Sequence, residues 1–191
     1  MFYPLRLIHK ISDETFLVLF VQTLHRLGAR KIAVFGLGDL IGCTLAEIYI
    51  FQSNGSLCVD NINAAVKPFN QKLISLIDDL NNKLSGAQFT YIGSSAYTDR
   101  GLSVADAPCC KISEDYQCIE SSAPCESPNN YIFWDGLHTT EMVNLVTAEN
   151  AYTAQDSDNV HPMDIKTLVH STHQEFMIYQ LKKRKFGRIL V

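Results

Sequence analysis

Apolar residues recur every three to four positions from residue 59 to residue 84: Val59, Ile62, Val66, Phe69, Leu73, Leu76 or Ile77, Leu80 and Leu84. That period marks one face of an α-helix. Asp60 can cap its start, Gly86 lies just past its end, and Pro68 inside it removes an amide donor and predicts a kink. AQFTYI, residues 87–92, then reads as a strand. The same succession occurs upstream. Residues 15–27, TFLVLFVQTLHRL, suit a helix with His25 and Arg26 in its last turn and Gly28 as C-cap, and KIAVFG has the length and content of a buried strand. Helix followed by strand predicts an α/β layer fold rather than an all-helical one.

The pattern weakens downstream. Residues 93–130 read mostly as a loop, too long for a simple connector. YIFW, 131–134, reads as a short buried segment. Residues 139–152 read as a helix capped by Thr139 or Thr140, with Met142, Leu145, Val146 and Ala148 or Glu149 at helical spacing and Glu141 and Glu149 facing solvent. DSDNVHPMDIKTLVH is a polar turn followed by a short apolar element, and periodicity is poor beyond Ser171.

With 191 residues and 47% apolar content, the chain can bury one core, about one domain. The apolar run FLVLFV, 16–21, is too short to span a bilayer, so no transmembrane segment is expected. The net charge of -4 is uneven: residues 171–191 hold five Lys or Arg and one Glu, leaving 11 basic and 19 acidic side chains, or -8, on the rest. That acidic body argues against nucleic acid as a partner. KKRK, 182–185, reads as a solvated basic tail, with an anionic surface or an import signal as the alternatives.

The six cysteines fall in loops. Cys43 and Cys58 bracket what reads as a polar loop, while Cys109, Cys110, Cys118 and Cys125 crowd a second. Such placement points to disulfides and an oxidising compartment; the pairing is open, with adjacent Cys109 and Cys110 expected to take different partners. A zinc site from the four clustered cysteines is disfavoured because no Cys-x-x-Cys pair occurs. Asn54 opens an N-G-S glycosylation triplet. The first residues hold no apolar run of signal-peptide length before Asp13 and Glu14, so a chain beginning partway through a larger protein is the expectation that reconciles the two.

Candidate chemistry is sparse. GLGDLIGC places Gly36, Gly38 and Gly42 after the first strand, where open α/β sheets build sites, but its spacing is one residue too long for a dinucleotide fingerprint. Asp135 and His138 stand three apart, as an acid–histidine pair across one turn would require, with Phe133 and Trp134 positioned to shelter it. The spacing also fits a helix-start aspartate and a chance surface histidine, and Asp158 and His161 repeat it. His170 and His173 have no third ligand in the pattern. No G-x-S-x-G elbow occurs, and Ser94, Ser95 and Ser103 read as loop serines.

Four blocks in order carry a resemblance: LHRLGARKIAVFGLGDLIGC; CVDNINAAVKPFNQKLISLIDDLNNKLSGAQFTYI; APCCKI with CIESSAPCESPNNYIFWDGLHTTEMVN; and NVHPMDIKTLV. Over roughly residues 15–170 the chain resembles the carboxyl-terminal part of a plant GDSL-type esterase/lipase of the SGNH hydrolase superfamily. The resemblance implies an incomplete three-layer α/β/α domain over residues 1–170 lacking its amino-terminal strands, and a basic tail at 171–191 without a family counterpart. It implies Asp135 as triad acid and His138 as general base, a small ester or lipid as substrate where the full domain is present, no cofactor, and secretion. The family's serine lies in a G-D-S-L-like block, and its oxyanion donors lie in a glycine block and a G-x-N-D-like block; none of these occurs here. An oxyanion donor is worth about 3–4 kcal/mol, so the chain alone is expected to lack normal esterase activity. Asp39 and Thr139 stand where the family usually has proline. The alternatives are a non-catalytic secreted interaction module or a non-functional truncated fragment, with self-association through an exposed sheet edge.

Overall fold

The computed structural model describes residues 13–53, 55–93, 102–154 and 159–172. Helix α1, Asp13–Arg26, stops where Gly28 takes φ +104°, with the Gly28 amide donating to His25 O and the Ala29 amide to Leu24 O. These two bonds close the last turn and need a residue without Cβ strain at position 28. The chain then enters β1, Lys31–Phe35, which runs parallel to β2, Gln88–Ile92, in register from Lys31 opposite Gln88 to Phe35 opposite Ile92. β5, Val160–His161, pairs antiparallel on the other side of β2, giving the order β1-β2-β5.

β2 is central and buried along its whole length, whereas β1 exposes Lys31 and Phe35. The expected burial of β1 is therefore corrected. Among the described residues it is hydrogen-bonded to a neighbour on one side only.

A short helix α2 spans Leu45–Phe51 and a long helix α3 spans Asp60–Lys83. Val21 of α1 and Leu73, Ile77 and Leu80 of α3 bury one face of the sheet together with Phe89 and Tyr91. Gln88 and Thr90 point the other way, as alternation in a strand requires. There Gln88 Nε2 donates to Thr172 O and Thr90 Oγ1 to Met163 O, beneath helix α5, Ile165–His170. Lys31 Nζ closes this side by donating to Val169 O at 2.6 Å and Ser171 O at 3.0 Å. Helices thus cover both faces, in an α/β/α arrangement.

Several expectations shift. Val59, not Asp60, occupies the N-cap of α3 and Asp60 is its first helical residue. The helix continues through Pro68, whose exposed position leaves the ring room to be accommodated. The segment between Cys43 and Cys58 is no polar loop: α2 fills half of it, and Thr44 caps this helix by accepting from the Glu47 amide at 3.3 Å. Inside the long loop, β3, Val104–Pro108, pairs in parallel with β4, Tyr131–Phe133. Its sequence, VADAP, carries little strand propensity, so the pairing with β4 is what makes it a strand. Helix α4, Glu141–Tyr152, starts from Thr140 and buries Val143, Val146 and Ala151, leaving Leu145 outside. The element after residue 156 includes β5 as well as α5.

Three disulfides join Cys43 to Cys58, Cys109 to Cys125 and Cys110 to Cys118. All four clustered cysteines are consumed in bridges, which removes the thiolates a zinc site needs.

Candidate active site

The turn that follows β4 carries the chemistry. β4 sits on β3 and on a second core of Leu102, Ile132, Phe133 and Val143 sealed by the Cys43–Cys58 bridge. From that base the chain doubles back: the Trp134 amide donates to His138 O at 2.8 Å and the Thr140 amide to Ile132 O at 2.9 Å. Thr140 Oγ1 adds a bond to Tyr131 O at 2.7 Å. Residues 134–138 are thus a tight loop closed on both sides by backbone bonds.

Within it, Asp135 is buried and His138 is not; their side chains are 7% and 67% exposed. Asp135 Oδ1 accepts the Leu137 amide at 2.8 Å and the His138 amide at 2.6 Å. Asp135 Oδ2 lies 2.9 Å from His138 Nδ1. Burial pushes the Asp135 carboxyl up, but the His138 amide, the His138 ring and the Leu137 amide together hold it below its ordinary value of 3.8. A carboxylate that faces Nδ1 selects the tautomer with its proton on Nδ1, and Nε2 is left as the acceptor. No described residue bonds to Nε2.

The disulfide loop holds this turn from outside. The Cys109 and Cys110 amides donate to Phe133 O and Trp134 O at 3.0 and 3.1 Å. The Gly136 amide donates to Tyr116 O at 2.7 Å, and Gly136 O accepts from the Ala46 amide of α2 at 3.1 Å. A Cβ at Gly136 would lie 2.7 Å from Tyr116 Cβ and 2.9 Å from Tyr116 O, so only glycine fits. Sequence reasoning passed over Gly136 and Tyr116 because their contact depends on how the cysteines pair.

It also missed three asparagines of α3 that clamp backbone. Asn70 bonds both to the Leu37 amide and to Leu37 O at 2.9 Å, Asn63 Oδ1 accepts the Gly42 amide at 2.9 Å, and Asn81 holds both backbone groups of Phe89. The first two fix the GLGDLIGC loop at the end of β1. Their signal was available in the spacing, since 63, 70 and 81 fall near one side of the helix, but a polar residue on an apolar face reads first as a flaw.

The remaining candidates stay apart. His161 Nε2 bonds Asp78 of α3 at 2.8 Å, a tie between α3 and β5; Asp158 lies outside the described residues. His170 Nδ1 sits 2.8 Å from Lys166 O of its own helix, and His173 lies outside the described residues. Ser103 is exposed and its amide bonds Asn130 O, while Ser94, Ser95, Asn54 and the KKRK run lie outside the described residues. Among the described residues no cluster of His, Cys, Asp or Glu is suited to hold a metal, and no helix is long and apolar enough to cross a membrane.

Comparison with known proteins gives this geometry its setting. Residues 11–151 match the family model for GDSL-like lipase/acylhydrolases. GDSL esterase/lipase At2g19010 of Arabidopsis thaliana is 40% identical over 139 residues, 69% of this chain and 40% of that protein. GDSL esterase/lipase At1g29670 of the same plant is 37% identical over 159 residues, 78% of this chain and 43% of its own length. The chain therefore spans about two-fifths of the length of the curated relatives it matches. It belongs to the GDSL-like lipase/acylhydrolase family.

Proposed function

We propose that this chain supplies the acid–histidine half of a carboxylic-ester hydrolase, with Asp135 as the orienting acid and His138 as the general base. The observation that carries this is the 2.9 Å contact of Nδ1 with a buried carboxylate, which leaves Nε2 directed at no described partner. In the reaction a serine Oγ attacks the ester carbonyl carbon while Nε2 takes its proton. The tetrahedral intermediate collapses, the C–O bond to the alcohol breaks, and Nε2 returns the proton to the departing alkoxide. Water then repeats the sequence on the acyl-serine and releases the acid.

The serine belongs to a G-D-S-L-like block that this sequence does not contain, and neither oxyanion block is present in it. The chain alone is therefore inactive in normal ester turnover. Two proteins test this: the chain as it stands, and a fusion placing the amino-terminal part of an Arabidopsis relative ahead of it. With a p-nitrophenyl ester, the fusion turns over and loses about a thousandfold or more on His138→Ala, while the chain alone shows no turnover that depends on His138. A silent fusion removes the catalytic reading, and His138-dependent turnover by the isolated chain removes the claim of inactivity.

A second reading rests on its own observation. Leu19 and Phe20 of α1, Leu27 just after it and Phe35 at the end of β1 are exposed. A strand paired on one side only among the described residues, beside apolar side chains, is suited to association with another copy or another polypeptide. The three bridges, which use every cysteine in the sequence, support an oxidising, extracellular setting. In that setting the N-G-S triplet at Asn54 is a glycosylation site, visible as a glycosidase-sensitive mass increment.

A further inference from the structure

Gly136, at the middle of the Asp135–His138 turn, is held through both of its peptide groups. Its amide donates to Tyr116 O at 2.7 Å, and its carbonyl accepts from the Ala46 amide of α2 at 3.1 Å. A peptide is planar, so fixing the Gly136 carbonyl also fixes the Leu137 N–H on the opposite edge of the same peptide. That N–H donates to Asp135 Oδ1 at 2.8 Å, and Asp135 Oδ2 faces His138 Nδ1 at 2.9 Å. The aim of the carboxylate at the imidazole therefore depends on how far apart α2 and the disulfide loop stand.

A ring contact spans that gap. Tyr49, on α2, and Tyr116, on the loop, lie with ring centroids 5.8 Å apart and planes tilted by 56°, the geometry of an attractive aromatic pair. The contact completes a triangle, Tyr49 to Tyr116 by their rings and both segments to Gly136 by backbone. Two features set the pair apart from ordinary packing. Tyr49 is 76% exposed, and its ring belongs to neither large core. Tyr116 has φ +63°, a left-handed backbone that bulky residues rarely adopt, so its surroundings hold it there. Both sides of the gap are stiffened, the segment bearing α2 by Cys43–Cys58 and the loop bearing Tyr116 by Cys110–Cys118. We infer that Tyr49 and Tyr116 are positioning residues for His138: their rings set the spacing of α2 and the disulfide loop, and with it the orientation of the imidazole. Their part in turnover rests on the hydrolase reading above; their part in orienting the ring rests on these contacts alone.

The test compares Tyr49→Ala, Tyr49→Phe and Ile50→Ala in the full chain by NMR. Ile50 is also exposed on α2 and has no ring to lose. Ring 15N shifts of the neutral imidazole report how much of His138 carries its proton on Nδ1. Tyr49→Ala is expected to lower that fraction and to speed exchange of the Gly136 and Leu137 amides about fivefold. Tyr49→Phe keeps the ring and is expected to match the parent, as is Ile50→Ala. In the fusion, Tyr49→Ala is expected to lower kcat about fivefold at unchanged KM. Parental tautomer and exchange in Tyr49→Ala overturn the proposal. An equal effect in Tyr49→Phe or Ile50→Ala also overturns it, by tracing the change to the hydroxyl or to the helix. A raised KM at parental kcat overturns it too, by placing Tyr49 against substrate. A silent fusion sinks the hydrolase reading alone, because the NMR comparison needs no turnover.

Discussion

Asp135 accepts two backbone amides and one imidazole nitrogen while almost fully out of water. Because its folded pKa lies below the ordinary 3.8, its ionised form favours the fold above that pH. The contribution is lost as pH falls through the lower folded value. Asp135→Asn is accordingly expected to be less stable than the parent at neutral pH, with the gap narrowing in acid below the ordinary carboxylate value; urea midpoints measured across pH check it. A gap that stays constant into strong acid would count against the charge as the cause. Gly136 makes a steric prediction of its own. Gly136→Ala drives a methyl into Tyr116 Cβ and its carbonyl, and overpacking of this kind costs about 1–3 kcal/mol. Chemical denaturation reads that cost, and a shorter residue at 116 does not relieve all of it because one clash is with backbone.

At the level of elements, the disulfide loop and the asparagine clamps carry the site. Removing the Cys109–Cys125 bridge as a double serine variant opens a segment of sequence separation 16, a loss of about 3 kcal/mol on chain-entropy grounds. Calorimetry gives the stability change, and faster hydrogen exchange at the Gly136 amide is expected beside it. Asn70→Ala leaves the Leu37 amide and carbonyl without their side-chain partner, a loss of about 1–3 kcal/mol. The same scale explains what the pattern of residues disclosed. α1, α3, β1 and β2 were legible because each has its own period and its own stop. The Asp135–His138 pair was legible as a spacing, though the identical spacing at Asp158 and His161 shows how little spacing alone decides. α2 was hidden by the glycine and serine that follow it, although Thr44 and Glu47 formed a readable cap. β3 was illegible in principle: Ala, Asp and Pro become a strand only against Tyr131–Phe133, and that pairing is set by contacts distant in sequence.

At the scale of the molecule, β1 and β5 are the two edges of the sheet among the described residues. Phe35, 56% exposed at the end of β1, should drive association as concentration rises. Phe35→Lys is expected to shift sedimentation toward monomer, and an unchanged profile would place the contact elsewhere.

The crosslinks also decide how the molecule answers a blade. Cys110–Cys118 is nested within Cys109–Cys125, and Lys111, on the surface, falls inside both. A single tryptic cut after Lys111 would sever the backbone yet leave its two pieces tied by a pair of covalent threads. Such a nicked form would run as one band without thiol and as two with it, so an apparently intact preparation can already have lost continuity beside its histidine turn.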